Sequence, residues 1–327
     1  MRYHRKGAKK KLMAAVLVFG SIILCFLYGM KQYQANSPVR IIFIPKVYDE
    51  DNDFWMDTIY GARSAAKELQ AELTVFAPDV ESDYKAQIAY IQDAITEKPD
   101  VIAISPILYS GMTDEMEQIA KAGIRLILID SKIDQDIETS YIGTDNIHAG
   151  TALGEKMRQF VEEDTKIAVM AHVKGASTAI EREQGMRQGL GKEQDRIAEI
   201  MYCDSDYEKS YELTKELFMK RQDITMIAGL NLYSIIGAAR AVDELGLGSQ
   251  VKVLGFDNDK EGIQYMEEGV IDALVVQKPF NMGYLGIEAA VRAARGEPVE
   301  KVIDSGMEVI TVDNIYSDEN EKLLFSF

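Results

Sequence analysis

Residues 40 to 77 read RIIFIPKVYDEDNDFWMDTIYGARSAAKELQAELTVFA, and the fold turns on how this stretch is read. It opens on an apolar, β-branched run, RIIFIP (40 to 45), and closes on another, AELTVFA (71 to 77). Between them, MDTIYGARSAAKELQ carries apolar residues at helical spacing. Strand, helix, strand predicts a βαβ unit whose strands run parallel through a right-handed crossover. The alternation continues through YKAQIAYIQDAITEK, DVIAIS (100 to 105) and RLILID (125 to 130). It then repeats as KIAVMAHV (166 to 173), IAEIMYC (197 to 203), ITMIAGL (224 to 230), VKVLGF (251 to 256) and DALVVQ (272 to 277), again with helices between. The expected fold class is α/β, with two doubly wound parallel-sheet domains. No Gly/Ser-rich linker separates the halves, so close-packed domains joined by short structured crossings are expected.

At 327 residues with 47% apolar and 27% charged residues, the chain has the length and composition of two folded domains. Its net charge of −17 is unevenly spread. The first eleven residues, MRYHRKGAKKK, hold six of the 36 Lys and Arg and none of the 53 acids, so the remainder carries −23. Such a body repels nucleic acid and anionic lipid. Residues 12 to 30, LMAAVLVFGSIILCFLYGM, contain no charge, and as a helix at about 1.5 Å per residue they would span a hydrocarbon core of about 30 Å. The basic cluster before them predicts a cytoplasmic N-terminus and a body on the outside of a bacterial cell membrane. A cleaved signal peptide is the alternative; the run is longer than the usual h-region and no A-x-A site follows in KQYQANS. Cys25 lies in the apolar run and Cys203 stands alone in the body, so no disulfide within the body and no paired-cysteine zinc site is expected.

In open parallel sheets ligands bind beyond the carboxyl ends of the strands, which makes the residue just after each run a candidate. Asn52, Phe54 and Trp55 follow the first run, Ser105 and Pro106 the third, and Asp130, Ser131 and Lys132 the fourth. In the second half come Arg182 on the helix after AHV, Asn231, Asp257 and Gln277. Aromatic faces beside carboxylates, amides and a guanidinium suit a neutral polyhydroxylated ligand. Sugar C–H faces pack on rings, and hydroxyls are shared between acceptor-only and donor-only groups. Each residue has a plainer use. Phe54 and Trp55 could staple the first helix to the sheet, Asp130, Asn231 and Asp257 could form turns or helix caps, and Arg182 could be a solvated ion-pair partner. Their coincidence at strand ends shifts the weight to binding.

The order of runs, together with IDSK, YIGTDNIHAGTALGE, GASTAIEREQGMRQGL, GAARAVDELG and VLGFDNDKEGIQYMEEGVIDALVVQKPFNMGYLGIEAA, resembles the periplasmic sugar-binding proteins of the ribose/galactose/xylose type over about residues 39 to 312. The resemblance implies a type I periplasmic binding fold, two lobes linked by a three-crossing hinge that close on one monosaccharide. It implies ligand contacts from Asn52, Phe54, Trp55, Asp130, Arg182, Asn231, Asp257 and Gln277, and a hinge role for Asp145 and Asn146. Two departures stand out. The first loop, KVYDEDNDFW, carries extra acids at Asp49, Asp51 and Asp53, and Ser131 then Lys132 stand where an arginine often follows the acid ending strand four. The expected divisions are a basic tail at 1–11, a transmembrane anchor at 12–30 and a tether at 31–38. An N-terminal lobe would take 39–143 plus 278–305, and a C-terminal lobe 144–277 plus 306–327.

Other chemistries fit poorly. Residues 257 to 268, DNDKEGIQYMEE, mimic a calcium loop but place Gln264 where an aliphatic is usual. GLGKE lacks the rest of a phosphate loop, there is no G-x-S-x-G elbow, and His4, His148 and His172 are too few and too scattered for a histidine site. No catalysis, cofactor or metal is therefore expected. The sequence predicts a membrane-anchored, extracytoplasmic receptor for a pentose or hexose, with xylose and ribose as candidates. It would signal to a membrane partner such as a sensor histidine kinase of a two-component system. The alternative is the binding component of an ABC sugar importer that hands its sugar to a permease. The tether KQYQANSP, under roughly 30 Å even when extended, favours a fixed membrane partner. A DNA-binding repressor with the same body is disfavoured by the apolar N-terminal run and the acidic surface.

Overall fold

The computed structural model describes residues 37–325. The basic tail, the apolar run at 12–30 and most of the tether lie outside the described residues. Among the described residues no helix is long and apolar enough to cross a membrane.

The body from Arg40 onward alternates strand and helix. Strand β1 (Arg40–Ile44) leads through α1 (Asp53–Glu68) to β2 (Glu72–Val75), then α2 (Tyr84–Glu97), β3 (Val101–Ile104), α3 (Thr113–Lys121), β4 (Arg125–Ile129) and β5 (Ser140–Gly143). The second half runs α4 (Asn146–Arg158), β6 (Ile167–Ala171), α5 (Ser177–Leu190), β7 (Ile197–Tyr202), α6 (Tyr207–Lys220), β8 (Met226–Gly229), α7 (Leu232–Glu244), β9 (Lys252–Phe256), α8 (Lys260–Glu267) and β10 (Ala273–Gln277). The chain then returns through α9 (Pro279–Ala294) and β11 (Val302–Asp304) before β12 (Met307–Ile310) and a short α10 (Asp318–Leu324).

Two six-stranded sheets result, ordered β11-β5-β4-β3-β1-β2 and β12-β10-β9-β8-β6-β7. The first is parallel throughout, and in the second only β12 runs antiparallel, against β10. Central strands such as VIAI of β3 and IAVMA of β6 are buried at every residue, because helices cover both faces of a parallel sheet. The chain passes between the sheets three times: from β5 into the second half, from β10 into α9, and from β11 to β12. The first and third passages lie side by side, where Thr144 Oγ1 and Ser305 Oγ are 3.3 Å apart and the Asp145 N–H donates to Asp304 at 3.3 Å.

Both sheets change direction of growth at equivalent places, between β1 and β3 and between β6 and β8, and ligands of doubly wound sheets bind at such switch points. Close helix packing sets the second half of that site. A Cβ added at Gly150 on α4 would collide with the Arg182 carbonyl on α5, and one at Gly185 would collide with Ile147 O. Glycine there lets the two backbones touch, which holds Asn146 beside Arg182.

Candidate functional site

Every sequence-predicted site residue, Asn52, Phe54, Trp55, Asp130, Arg182, Asn231, Asp257 and Gln277, lines one tightly closed cavity of about 20 Å³ between the two sheets' carboxyl ends. Lys46, Glu81, His172, Thr178, Leu232 and Tyr233 complete its wall. A larger open groove of about 600 Å³ adjoins it and shares Phe54, Asp257 and Gln277; the rest of its lining comes from α1, the turn into α8, Val276 and the segments around α9 and α10. The smaller cavity is the one in which buried charges converge.

Its two acids occupy equivalent places. Asp130 follows β4 and Asp257 follows β9, both with left-handed backbone, φ 66° and 68°. Non-glycine residues adopt that region at a cost and chiefly where surrounding structure holds them. Here the Asp130 N–H donates to Ile142 O at 2.8 Å and the Asp257 N–H to Val275 O at 2.9 Å. Each carboxylate meets a cation of its own lobe. Lys46 Nζ lies 2.9 Å from Asp130, both side chains 4% exposed, and Arg182 lies 3.7 Å from Asp257. The cation beside Asp130 thus comes from β1's end, while Ser131, standing where an arginine was expected, donates its hydroxyl to the same carboxylate at 2.6 Å.

Arg182 is fixed from several sides. It donates to Asn146 Oδ1 and to Leu230 O, each at 2.8 Å, and its guanidinium stacks 4.4 Å from the Phe256 ring centre. Asn146, expected at the hinge, holds this side chain. Gln277 donates to Asp257 at 2.8 Å, leaving its buried Oε1 without a partner. Burial pushes the Asp257 pKa up, with Arg182 pulling it back.

Phe54 and Trp55 meet edge to face, interplanar angle 88°, so a sugar ring can lie flat on only one of them. Asn52 and Asn231 combine the plain and the functional reading. Asn52 caps α1 by accepting from the Trp55 N–H, and Asn231 caps α7 with a reciprocal bond to Ser234. Each amide nitrogen remains for other partners, and that of Asn231 reaches Ser205. Of the first loop's acids, Asp49 faces the second lobe and accepts from Tyr233 at 2.9 Å. Lys132 also reaches across, to Glu181 at 2.8 Å.

His172, directly after β6, bonds Thr178 at 2.8 Å through Nε2 and leaves buried Nδ1 unpartnered. Burial, then Arg182 and Lys46, hold its pKa well below the ordinary value, so it is neutral. Glu81, in the loop after β2, accepts from the Trp55 indole at 2.9 Å, and burial raises its pKa. The site therefore offers paired charges, unspent amide and imidazole atoms and one aromatic face to a ligand rich in hydroxyls. In the loop that mimicked a calcium site, Asp259 instead caps α8 by accepting from Gly262 N–H. Among the described residues no cluster of His, Cys, Asp and Glu could hold a metal ion.

The family model for the periplasmic binding protein domain matches residues 41–298. This chain belongs to that family. The periplasmic binding protein is 26% identical to the ribose import binding protein RbsB of Haemophilus influenzae over 261 residues, 80% of this chain and 88% of the relative. It is likewise 26% identical to the D-allose-binding periplasmic protein of Escherichia coli over 278 residues, covering 81% and 88% of the two chains. Among solved structures, a sugar transporter from Clostridium phytofermentans is 43% identical with a TM-score of 0.80, over 84% of this chain and 99% of that one. A carbohydrate transporter solute-binding protein from Agrobacterium radiobacter in complex with D-arabinose is 27% identical with a TM-score of 0.83, over 88% and 99%. The type I fold expected of the body is thereby shown, and these relatives are sugar-binding proteins rather than enzymes.

Proposed function

We propose that this periplasmic binding protein captures a monosaccharide between its lobes and serves as the substrate-binding component of an ABC importer. The observation that carries the reading is the matched pair of buried ion pairs, Lys46 with Asp130 and Arg182 with Asp257, one on each lobe and facing one cavity beside Trp55. Hydroxyls of a pyranose or furanose would bond Asp130, Arg182, Asn231, Asp257 and Gln277, while a C–H face lies on an aromatic ring. The names of the relatives support ribose, allose or arabinose as the ligand class. Calorimetric titration of the full chain with D-ribose, D-allose, D-arabinose and D-xylose tests this. Saturable binding of one of them, lost in Trp55→Ala, supports the reading, and no heat with any of them sinks it.

One sequence feature favours a second reading. The uncharged stretch at 12–30 and the eight-residue tether would hold the body close to a membrane, which suits a fixed partner such as a sensor histidine kinase. Crosslinking the sugar-loaded protein in its own membrane separates the two: adducts with a permease favour transport, adducts with a kinase favour sensing.

A further inference from the structure

Along the second sheet, in its order β6, β8, β9, β10, the strands end at polar residues of one cavity wall. His172 follows β6 directly, Asn231 stands two residues after β8, Asp257 follows β9 directly, and Gln277 is the last residue of β10. At about 4.8 Å per strand, three spacings separate the outer pair by about 14 Å of backbone. The inner two are engaged by the protein. Asn231 bonds Ser234 and Ser205, and Asp257 bonds Gln277 beside Arg182. Each outer residue keeps one buried atom without a partner among the described residues, Nδ1 of His172 and Oε1 of Gln277.

Gln277 belongs to the ligand set already; His172 enters through its place in the wall and this orphaned atom. Its imidazole is neutral, because burial and then Arg182 and Lys46 disfavour the charge, so its two nitrogens are one donor and one acceptor. Nε2 is committed to the Thr178 hydroxyl at 2.8 Å. Nδ1 takes the other role. Whichever role that is, a hydroxyl completes it, being donor and acceptor at once. A buried polar atom left unpaired changes an equilibrium by about fivefold to a hundredfold, and a ligand hydroxyl arriving at Nδ1 removes that cost.

We propose that His172 contacts the sugar directly, its Nδ1 bonding a hydroxyl at one end of the ring while Gln277 bonds one at the other, so that His172 helps set which sugars fit. The proposal deepens the monosaccharide reading and rests on it. The bland alternative is that His172 only supports Thr178 through Nε2, at the start of the helix that carries Arg182.

Two amides separate these roles. Asn places its polar atoms where Nδ1 stands, and Gln places its own one bond further out, where Nε2 stands. In calorimetric titration of the full chain with D-ribose, D-allose, D-arabinose and D-xylose, His172→Gln should weaken the sugar that binds the parent best by about fivefold or more. His172→Asn should bind that sugar more tightly than His172→Gln does. Equal or reversed affinities in the two variants would make His172 a support for Thr178 and overturn the proposal. Where either variant fails to fold, the parent decides. The chain has three histidines, so long-range 1H–15N spectra distinguish their ring nitrogens. Saturation with that sugar should move the Nδ1 signal of His172 more than the signals of the exposed His148. An unmoved Nδ1 signal with sugar bound removes His172 from the contact set and leaves the monosaccharide reading standing. If none of the four sugars binds the parent, the monosaccharide reading itself fails.

Discussion

At Asp257 the energetics of one side chain bind two neighbours. Its carboxylate is buried, 3.7 Å from Arg182 and bonded by Gln277, so truncation leaves a buried guanidinium facing a hole. Removing one member of a desolvated, hydrogen-bonded pair costs about 2–5 kcal/mol of binding. Asp257→Ala should therefore weaken sugar binding on the order of 100-fold or more by calorimetry, and an affinity within a few-fold of the parent would remove Asp257 from the site. His172 makes a prediction about stability. Its folded pKa lies well below the ordinary 6.5, so the unfolded chain takes up a proton there that the folded protein does not. Stability is then lost as pH falls through the unfolded value, at about 1.4 kcal/mol per pH unit. The raised pKa values of Glu81 and Asp257 act in the opposite sense, since acid relieves the cost of their buried charge, and they do so with or without His172. Urea unfolding between pH 7 and 5.5 should show a shallower loss in His172→Gln than in the parent; identical slopes would mean that His172 is not the neutral group described.

Among the elements, the contact between α4 and α5 does most to aim the second lobe's cation. Gly150 abuts the Arg182 carbonyl and Gly154, one turn on, abuts that of Met186, so each position tests the same interface at a different distance from the site. Overpacking costs about 1–3 kcal/mol. Gly150→Val and Gly154→Val should lower the melting temperature alike, but Gly150→Val should weaken sugar binding more because it moves Arg182 itself. Equal affinities in the two variants would detach Arg182 from the helix contact. The elements were largely legible because buried parallel strands are continuous apolar runs: RIIFI, VIAI and RLILI announce themselves. The strands with no counterpart among those runs, SYIG of β5, VID of β11 and MEVI of β12, are short, carry Ser, Gly or acids, and are specified by the sheet they join rather than by their own pattern. The site divides the same way. Asp130, Asn231, Asp257 and Gln277 sit at strand ends, where topology alone directs attention. Glu81 follows an edge strand by several residues, and Tyr233 is the second residue of α7. The role of Tyr233 comes from a contact with Asp49 on the other lobe and that of Glu81 from a contact with Trp55 on α1, which no local signal encodes. Lys46 and His172 stand at strand ends, where position could have found them, but neither was expected at the site.

For the whole molecule the relevant quantity is the balance between open and closed lobes, which any ligand must shift by its preference for one of them. Several contacts between the lobes weigh on that balance: Tyr233 with Asp49, Tyr109 N–H with Gly175 O, and Lys132 with Glu181. The last is partly exposed, its side chains 36% and 20% accessible, so screening limits it to about 1 kcal/mol or less. A contact that acts only on closure changes the apparent affinity for every sugar by one common factor, whereas a residue touching the ligand changes the ranking among sugars. Lys132→Glu should accordingly weaken all sugars that bind by the same few-fold factor, and adding Glu181→Lys should restore them together. Unequal effects across the sugars would place Lys132 against the ligand, and failure of the exchanged pair to restore affinity would show that the two side chains do not meet in the sugar-bound state.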